Sequence, residues 1–237
     1  KALFIYLLTA NAFPMQSFTI IRRIIPNTMN KRNLARYRFL SRPKFKMSQI
    51  SLEKEEIDPG VISGLEIVKY PHPSLRNKNE EVTKFDSDLK ALSKKMFDLM
   101  YASNGVGLAA PQVGVNKRLM VFNPDGDSVK WLSEITLVNP KIIEKSKSEE
   151  SENEGCLSFP GIRGTVSRSK WIKVEAMNTK GGKIKKKFEG WEARIFQHEY
   201  DHLDGVVFTD RFDGESKDNA KARLDELINE FGEGGRI

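Results

Sequence analysis

The strongest constraint on this chain is the five-residue run His198-Glu199-Tyr200-Asp201-His202, which reads H-E-x-x-H. On an α-helix, positions four apart lie one turn above each other, with Cβ atoms roughly 5–6 Å apart. His198 and His202 can therefore hold one metal ion from a single helical face. Glu199 projects about 100° further round the helix. It can reach a water at the ion without taking a ligand position itself. The chain has three histidines, and two of them stand here. The plain alternative is a solvated helix face that carries the same spacing and no ion.

The single cysteine, Cys156, shifts that balance. It cannot form an internal disulfide, so the fold rests on packing, and Cys156 is either inert core or chemistry. It sits in Glu154-Gly155-Cys156-Leu157-Ser158, some forty residues before the helix. A thiolate and two imidazoles make a three-ligand set with one coordination position open, the pattern of a catalytic rather than a structural site. The rival is a zincin-type peptidase, whose third ligand follows the helix. Asp210, Asp213 and Glu215 are candidates for it, but no H-x-x-G-x-x-H extension follows His202. A structural metal site or a non-catalytic docking module is the third reading.

A formal charge of +7 invites an anionic partner, but the charge is unevenly placed. Residues 1–52 hold ten of the 39 basic residues and no acid, which leaves 29 bases against 32 acids from Glu53 onward. The body is slightly acidic, so no direct nucleic-acid binding is expected of it. The basic segment opens on Leu3-Phe4-Ile5-Tyr6-Leu7-Leu8-Thr9-Ala10, too short to span a membrane and suited to a signal-peptide core. Residues 17–48 are basic, acid-free and dotted with Ser, Thr and Asn, like a transit peptide. Residues 1–60 thus read as a bipartite leader plus linker for a plastid bounded by extra membranes, of the apicomplexan kind. A mitochondrial presequence is the alternative, and a basic tail binding nucleic acid or membrane is the plain reading. Lys1 stands first rather than Met, so an initiator is expected upstream.

Residues 61–237 read as one domain. Residues 65–70 are a short strand candidate, stopped at Pro71-His72-Pro73, where His72 reads as structural or exposed. Leu89, Leu92, Met96, Leu99 and Met100 recur at helical spacing after Asp86 or Ser87 as N-cap, with Asn104-Gly105 as the stop. Residues 118–122 and 135–143 predict strands, and the charged residues 145–152 predict a solvated loop. Residues 165–176 alternate as one long strand, which turns through 178–182 into a strand at 184–188. The histidine helix should run from near Trp191 to Gly205, with a short strand at 206–208 after it. Leu224, Leu227, Ile228 and Phe231 predict a C-terminal amphipathic helix. Many strands with few helices, and a metal helix among them, indicate α+β.

Three segments now stand in order: Gly105-Val106-Gly107-Leu108-Ala109-Ala110-Pro111-Gln112, Glu154-Gly155-Cys156-Leu157-Ser158, and Gln197-His198-Glu199-Tyr200-Asp201-His202-Leu203-Asp204-Gly205. This resembles the peptide deformylases, marked by G-x-G-x-A-A-x-Q, E-G-C-L-S and H-E-x-x-H in that order. The resemblance covers residues 64–237 and leaves out the leader and the charged stretch at 145–152. It implies an α+β fold with mixed or antiparallel sheets around a central metal-binding helix. It implies removal of the N-formyl group from the initiator methionine of new polypeptides, with release of formate. Cys156, His198 and His202 would bind one divalent ion per chain, Fe²⁺ by family habit, with Zn²⁺ or another divalent metal able to substitute. Glu199 would be the general base, and the Gln112 side-chain amide and Leu157 N–H would meet the oxyanion. Gly107 and Arg163 would contact substrate, and Val106, Ile195 and the aliphatic part of Arg194 would form the methionine pocket. Glu154 would orient a ligand, and Arg168 would hold structure. The partners implied are N-formylmethionyl nascent chains and an organellar ribosome, with no membrane.

Overall fold

The helical spacing that begins at Leu89 produces α1 (Ser87–Ala102), capped by Asp86, whose carboxylate accepts from the Leu89 N–H at 3.1 Å. The computed structural model describes residues 64–237, so the leader expected over residues 1–60 lies outside the described residues. Met96 and Met100 on α1 are fully buried, as unbranched side chains filling irregular core space.

A five-stranded antiparallel sheet forms the centre. Its strands are β1 (Gly107–Ala109), β2 (Leu119–Phe122), β3 (Ile135–Lys145), β6 (Trp171–Met177) and β7 (Lys183–Glu189), in that spatial order. All four residues of β2 are buried, because the sheet is covered on both faces. Met120 and Phe122 pack towards α2 (Gly190–Leu203), with Phe188, Phe196 and Leu203. Leu119 and Val121 point the other way, to Met96, Phe97 and Met100 of α1. Side chains alternate across a strand, so one short strand joins two cores. The architecture is α+β.

Four local expectations are corrected. The charged residues 145–152 are not simply a loop: β4 (Glu149–Gly155) pairs in register with β5 (Arg163–Ser169) as a separate two-stranded sheet. The single strand expected over 165–176 is two strands, β5 and β6, divided at Lys170 and placed in different sheets. Residues 65–70 run without a strand ladder, held at separate points by Val68 N–H to Gln112 O and Tyr70 N–H to Ser158 O, both 2.9 Å. Residues 206–208 lead into a 3-10 turn (Phe208–Arg211), where Asp210 Oδ2 accepts from the Val207 N–H at 3.0 Å.

The C-terminal helix α3 (Gly214–Phe231) is capped by Asp213, which accepts from Ser216 N at 2.8 Å. Its Ala220 and Leu227 close a third core with Val166, Phe208 and Phe212.

Candidate active site

Helix α2 presents His198, Glu199 and His202, all buried, and stops at Asp204 before Gly205 at φ +71°. That left-handed position suits glycine, and here a Cβ would also stand 3.0 Å from the Arg76 and Asn77 carbonyl oxygens. Cys156 arrives just past the end of β4. Its Sγ lies 3.3 Å from His202 Nε2. The ligand atoms of Cys156, His198 and His202 all fall within 4.8 Å of one another. A metal bound at about 2.3 Å to sulfur and about 2.0–2.1 Å to nitrogen holds its donors at such spacings.

The surroundings fit an ion as well. His198 Nδ1 lies 2.9 Å from Glu154 Oε2, which leaves Nε2 for the cluster. Among the described residues Glu199 Oε2 is buried without a hydrogen-bond partner, a need that a water on an ion beside it would meet. Cys156, His198 and His202 thus form a metal-binding group. The rival ligands are engaged elsewhere: Asp210 pairs with Arg76 at 2.5 Å, and Asp213 caps α3. Glu215 lies in the first turn of α3. His72 caps a 3-10 turn, its Nδ1 accepting from Ser74 N at 3.2 Å.

Glu154 is the hub of a buried charge network. Arg168 donates to it through Nε at 2.7 Å and Nη2 at 2.9 Å, and reaches Asp201 through Nη1 at 2.8 Å. Arg211 closes on Asp201 from the far side through two bonds of 2.5 Å. Arg194 adds Nη1 to Glu154 at 2.7 Å and to Val166 O at 3.0 Å. Its Nη2 holds Glu150 O at 2.6 Å. The Arg194 guanidinium therefore locks the metal helix to β4 and β5 while its side chain lines the cavity. Residue type alone signalled neither that lock nor the part of Asp201, because the partners lie on strands distant in sequence.

Burial disfavours the Glu154 carboxylate, yet hydrogen bonds from His198 and Arg168 outweigh it and hold the group well below the usual carboxylate range. Glu199 has no such donors, and burial raises it to about 7 against the pull of His198 and Arg168. Burial opposes a charge on His198, but its bonds to Cys156 and Glu154 raise it to about 10. His202 is driven far down by burial and then by the neighbouring His198 charge. In the protein alone the two imidazoles are pushed apart, whereas a bound cation needs both neutral.

A cavity of about 680 Å³ opens on this group, within the usual span of ligand sites, about 300–1,000 Å³. Val106, Gly107, Gln112, Leu157, Arg163 and Ile195 all line it, with Cys156, His198 and Glu199 on the wall. Gln112 is locked by accepting the Ala109 N–H on Oε1 at 2.7 Å, and its Nε2 points to Cys156 Sγ at 3.5 Å. Arg163 is exposed and held by Asn153 Oδ1 at 2.8 Å. Trp191, half exposed, also lines the cavity and donates to Pro124 O at 3.1 Å. No sequence pattern singled it out.

The family model described as polypeptide deformylase matches residues 64–218. Peptide deformylase 1B of Arabidopsis thaliana, chloroplastic/mitochondrial, is 47% identical over 169 residues, 71% of this chain. The match spans 62% of that plant protein's own length. A solved peptide deformylase from Plasmodium falciparum superimposes with a TM-score of 0.69 at 44% identity, covering 70% of this chain and 96% of that one. A Thermotoga maritima peptide deformylase gives 0.59 at 42% identity, covering 63% and 97%. The matched residues 64–218 take in the strands and the helix that assemble the thiol, the imidazoles and the carboxylate, and the chain belongs to the polypeptide deformylase family.

Proposed function

We propose that this protein removes the formyl group from N-formylmethionyl polypeptides by hydrolysis. The observation that carries the reading is Glu199, buried on the wall of a cavity of about 680 Å³ beside a Cys-His-His group, with one carboxylate oxygen unpartnered among the described residues. A divalent ion held by Cys156, His198 and His202 would acidify water and polarise the formyl carbonyl. Fe²⁺ is the ion proposed, one per chain, with Zn²⁺ an alternative that a Cys/His₂ donor set also suits.

Glu199 takes a proton from the attacking water, whose oxygen bonds to the formyl carbon. The negative charge that develops on the formyl oxygen is met by the Leu157 N–H and by Gln112 Nε2–H, the latter on an amide held by the Ala109 N–H before the reaction. Glu199 then delivers the proton to the leaving nitrogen as the carbon–nitrogen bond breaks, which yields formate and a free amine. Val106 and Ile195 surround the methionine side chain, with the Arg194 stem as a further wall. Gly107 and Arg163 face the backbone of the residues that follow.

The partners proposed are nascent chains made inside an organelle and, through them, the organellar ribosome. The basic leader and the plant chloroplastic relatives support a plastid, of the apicoplast type, with a mitochondrion as the alternative that one relative's name also carries. Residues 61–237 are the proposed catalytic domain. No helix among the described residues is long and apolar enough to cross a membrane.

The test is formate release from a formyl-Met tripeptide by protein loaded with Fe²⁺ without oxygen, beside the unformylated peptide. Formate that disappears in Glu199→Ala supports the reading. Cleavage of the unformylated peptide instead would assign the site to a peptidase.

A further inference from the structure

The exposed charged side chains on the wall of the active cavity are Lys69 and Arg163, and both are positive. Lys69 Nζ donates to Leu157 O at 2.7 Å, and Arg163 Nε donates to Asn153 Oδ1 at 2.8 Å. Both acceptors are neutral, so neither cation meets a carboxylate among the described residues. An ammonium has three N–H donors and a guanidinium five. Each cation therefore keeps donors and a full charge for something that enters.

The two stand beside the same short stretch. Arg163 on β5 is the register partner of Gly155 at the end of β4, where a Cβ would lie 3.3 Å from its Nη1. Lys69 reaches Leu157, two residues further on. Cys156, the thiol of the metal-binding group, lies between them. A polypeptide with its formyl carbon at that group and its methionine between Val106 and Ile195 leaves along a wall that carries both charges.

The acids around this wall are engaged. Glu154 and Glu199 are buried, and Glu154 is bonded by Arg168, Arg194 and His198. Glu152 pairs with Arg194 Nε at 3.0 Å. On the Pro160 side of the cavity, Arg223 donates to Pro160 O at 3.3 Å and holds Glu226 and Glu230 through Nη1.

We propose that Lys69 and Arg163 set substrate preference: they favour polypeptides with an acidic side chain in the first two residues after formyl-methionine, and they oppose lysine or arginine there. The proposal rests on the deformylase reading given above and names the substrates of that same site. Opposite charges at a rim speed capture, while like charges placed together exclude the wrong partner. Both cations lie in contact with the flanking residues and not with the formyl carbon. Their effect is thus on substrate binding, in KM more than in kcat.

The experiment measures formate release by protein loaded with Fe²⁺ from formyl-Met-Asp-Ala, formyl-Met-Lys-Ala and formyl-Met-Ala-Ala, and from the same series with Asp or Lys third. All carry a C-terminal amide, so that no terminal carboxylate supplies the negative charge. At low salt kcat/KM for the better Asp peptide should exceed that for its Lys counterpart by ~10-fold, since exposed ion pairs are individually weak. The ratio should shrink as salt is raised. Lys69→Met and Arg163→Met should each cut it by ~3-fold, and the double variant should bring it close to one. The ratio is taken within each variant, so a smaller folded fraction cancels. Equal values for Asp and Lys at both positions in the wild type overturn the proposal, as does a ratio that survives in the double variant or resides in kcat alone. Formate from the alanine peptide without discrimination would leave the deformylase reading standing and remove this proposal alone. No formate from any peptide would remove both.

Discussion

A Cβ on Gly107 would stand 2.5 Å from Oε1 of Glu199 and 2.9 Å from its Cδ. The glycine on β1 is therefore a space requirement set by the carboxylate on α2. Gly107→Ala should push the Glu199 carboxylate aside and lower kcat by ~10²-fold, the scale of a misplacement of about 1 Å. Thermal unfolding and metal content should change far less. Turnover close to wild type would show that the carboxylate has room to shift.

Glu199 lies outside the ligand group, so Glu199→Ala should keep a full complement of metal while losing ~10²–10⁴-fold in turnover, the usual share of a general acid–base. Metal analysis and formate release on the same preparation separate the two. Near-normal turnover would remove Glu199 from the mechanism.

Cys156→Ser replaces a thiolate by a poor ligand and should lower metal content without unfolding the body, since Cys156 is only partly buried and packs against the third core from its edge. Unchanged stoichiometry after exhaustive dialysis would count against a thiolate ligand.

Gln112 meets the proposed oxyanion with an amide already fixed by the Ala109 N–H. Gln112→Ala should cost ~10²–10³-fold in kcat, with KM changed little. A rise in KM at constant kcat would make Gln112 a binding residue instead.

Glu154 joins His198, Arg168 and Arg194 inside the protein. Glu154→Gln leaves buried guanidinium groups short of a counter-charge and should cost about 3–5 kcal/mol of stability, read by denaturant unfolding. The pH dependence has a definite sign. The folded carboxyl is held below its ordinary value of 4.5, so the unfolded chain takes up the proton first. Its stabilisation is complete above about pH 4.5 and drains away as pH falls towards the folded value. Acid unfolding of metal-depleted protein should be steeper in the wild type than in Glu154→Gln. Equal slopes would show that another group governs the acid limb.

The helices were legible in sequence because their buried positions recur at helical spacing, as Met96 and Met100 do on α1. The metal-binding group was legible because two histidines on one helix and one cysteine are scarce residues in a telling pattern. Strand β4 was not, since Glu149 to Gly155 contains one buried residue, Glu154, and no apolar alternation. What holds β4 is register with β5 and the grip of Arg194, and neither leaves a periodic trace. The break at Lys170 was hidden for the opposite reason: buried positions continue on both sides, from Val166 and Arg168 to Ile172 and Val174, while the chain changes sheets. In the site, the ligand trio could be picked out by residue type. The roles of Asp201, Trp191 and the Arg194 guanidinium depend on which distant backbone comes near, and they became visible only in three dimensions.

Among the described residues one open margin of the central sheet is β7, which carries Lys183, Lys185, Lys186 and Lys187, all largely exposed, around a single buried Phe188. Lys185 and Lys186 are met by Glu175 and Glu192, so the stretch offers little net attraction to polyanions. Its effect is on self-association: a second molecule arriving strand-to-strand would have to bring one lysine row against another. The margin is thereby guarded against edge-to-edge pairing with a second copy of the chain.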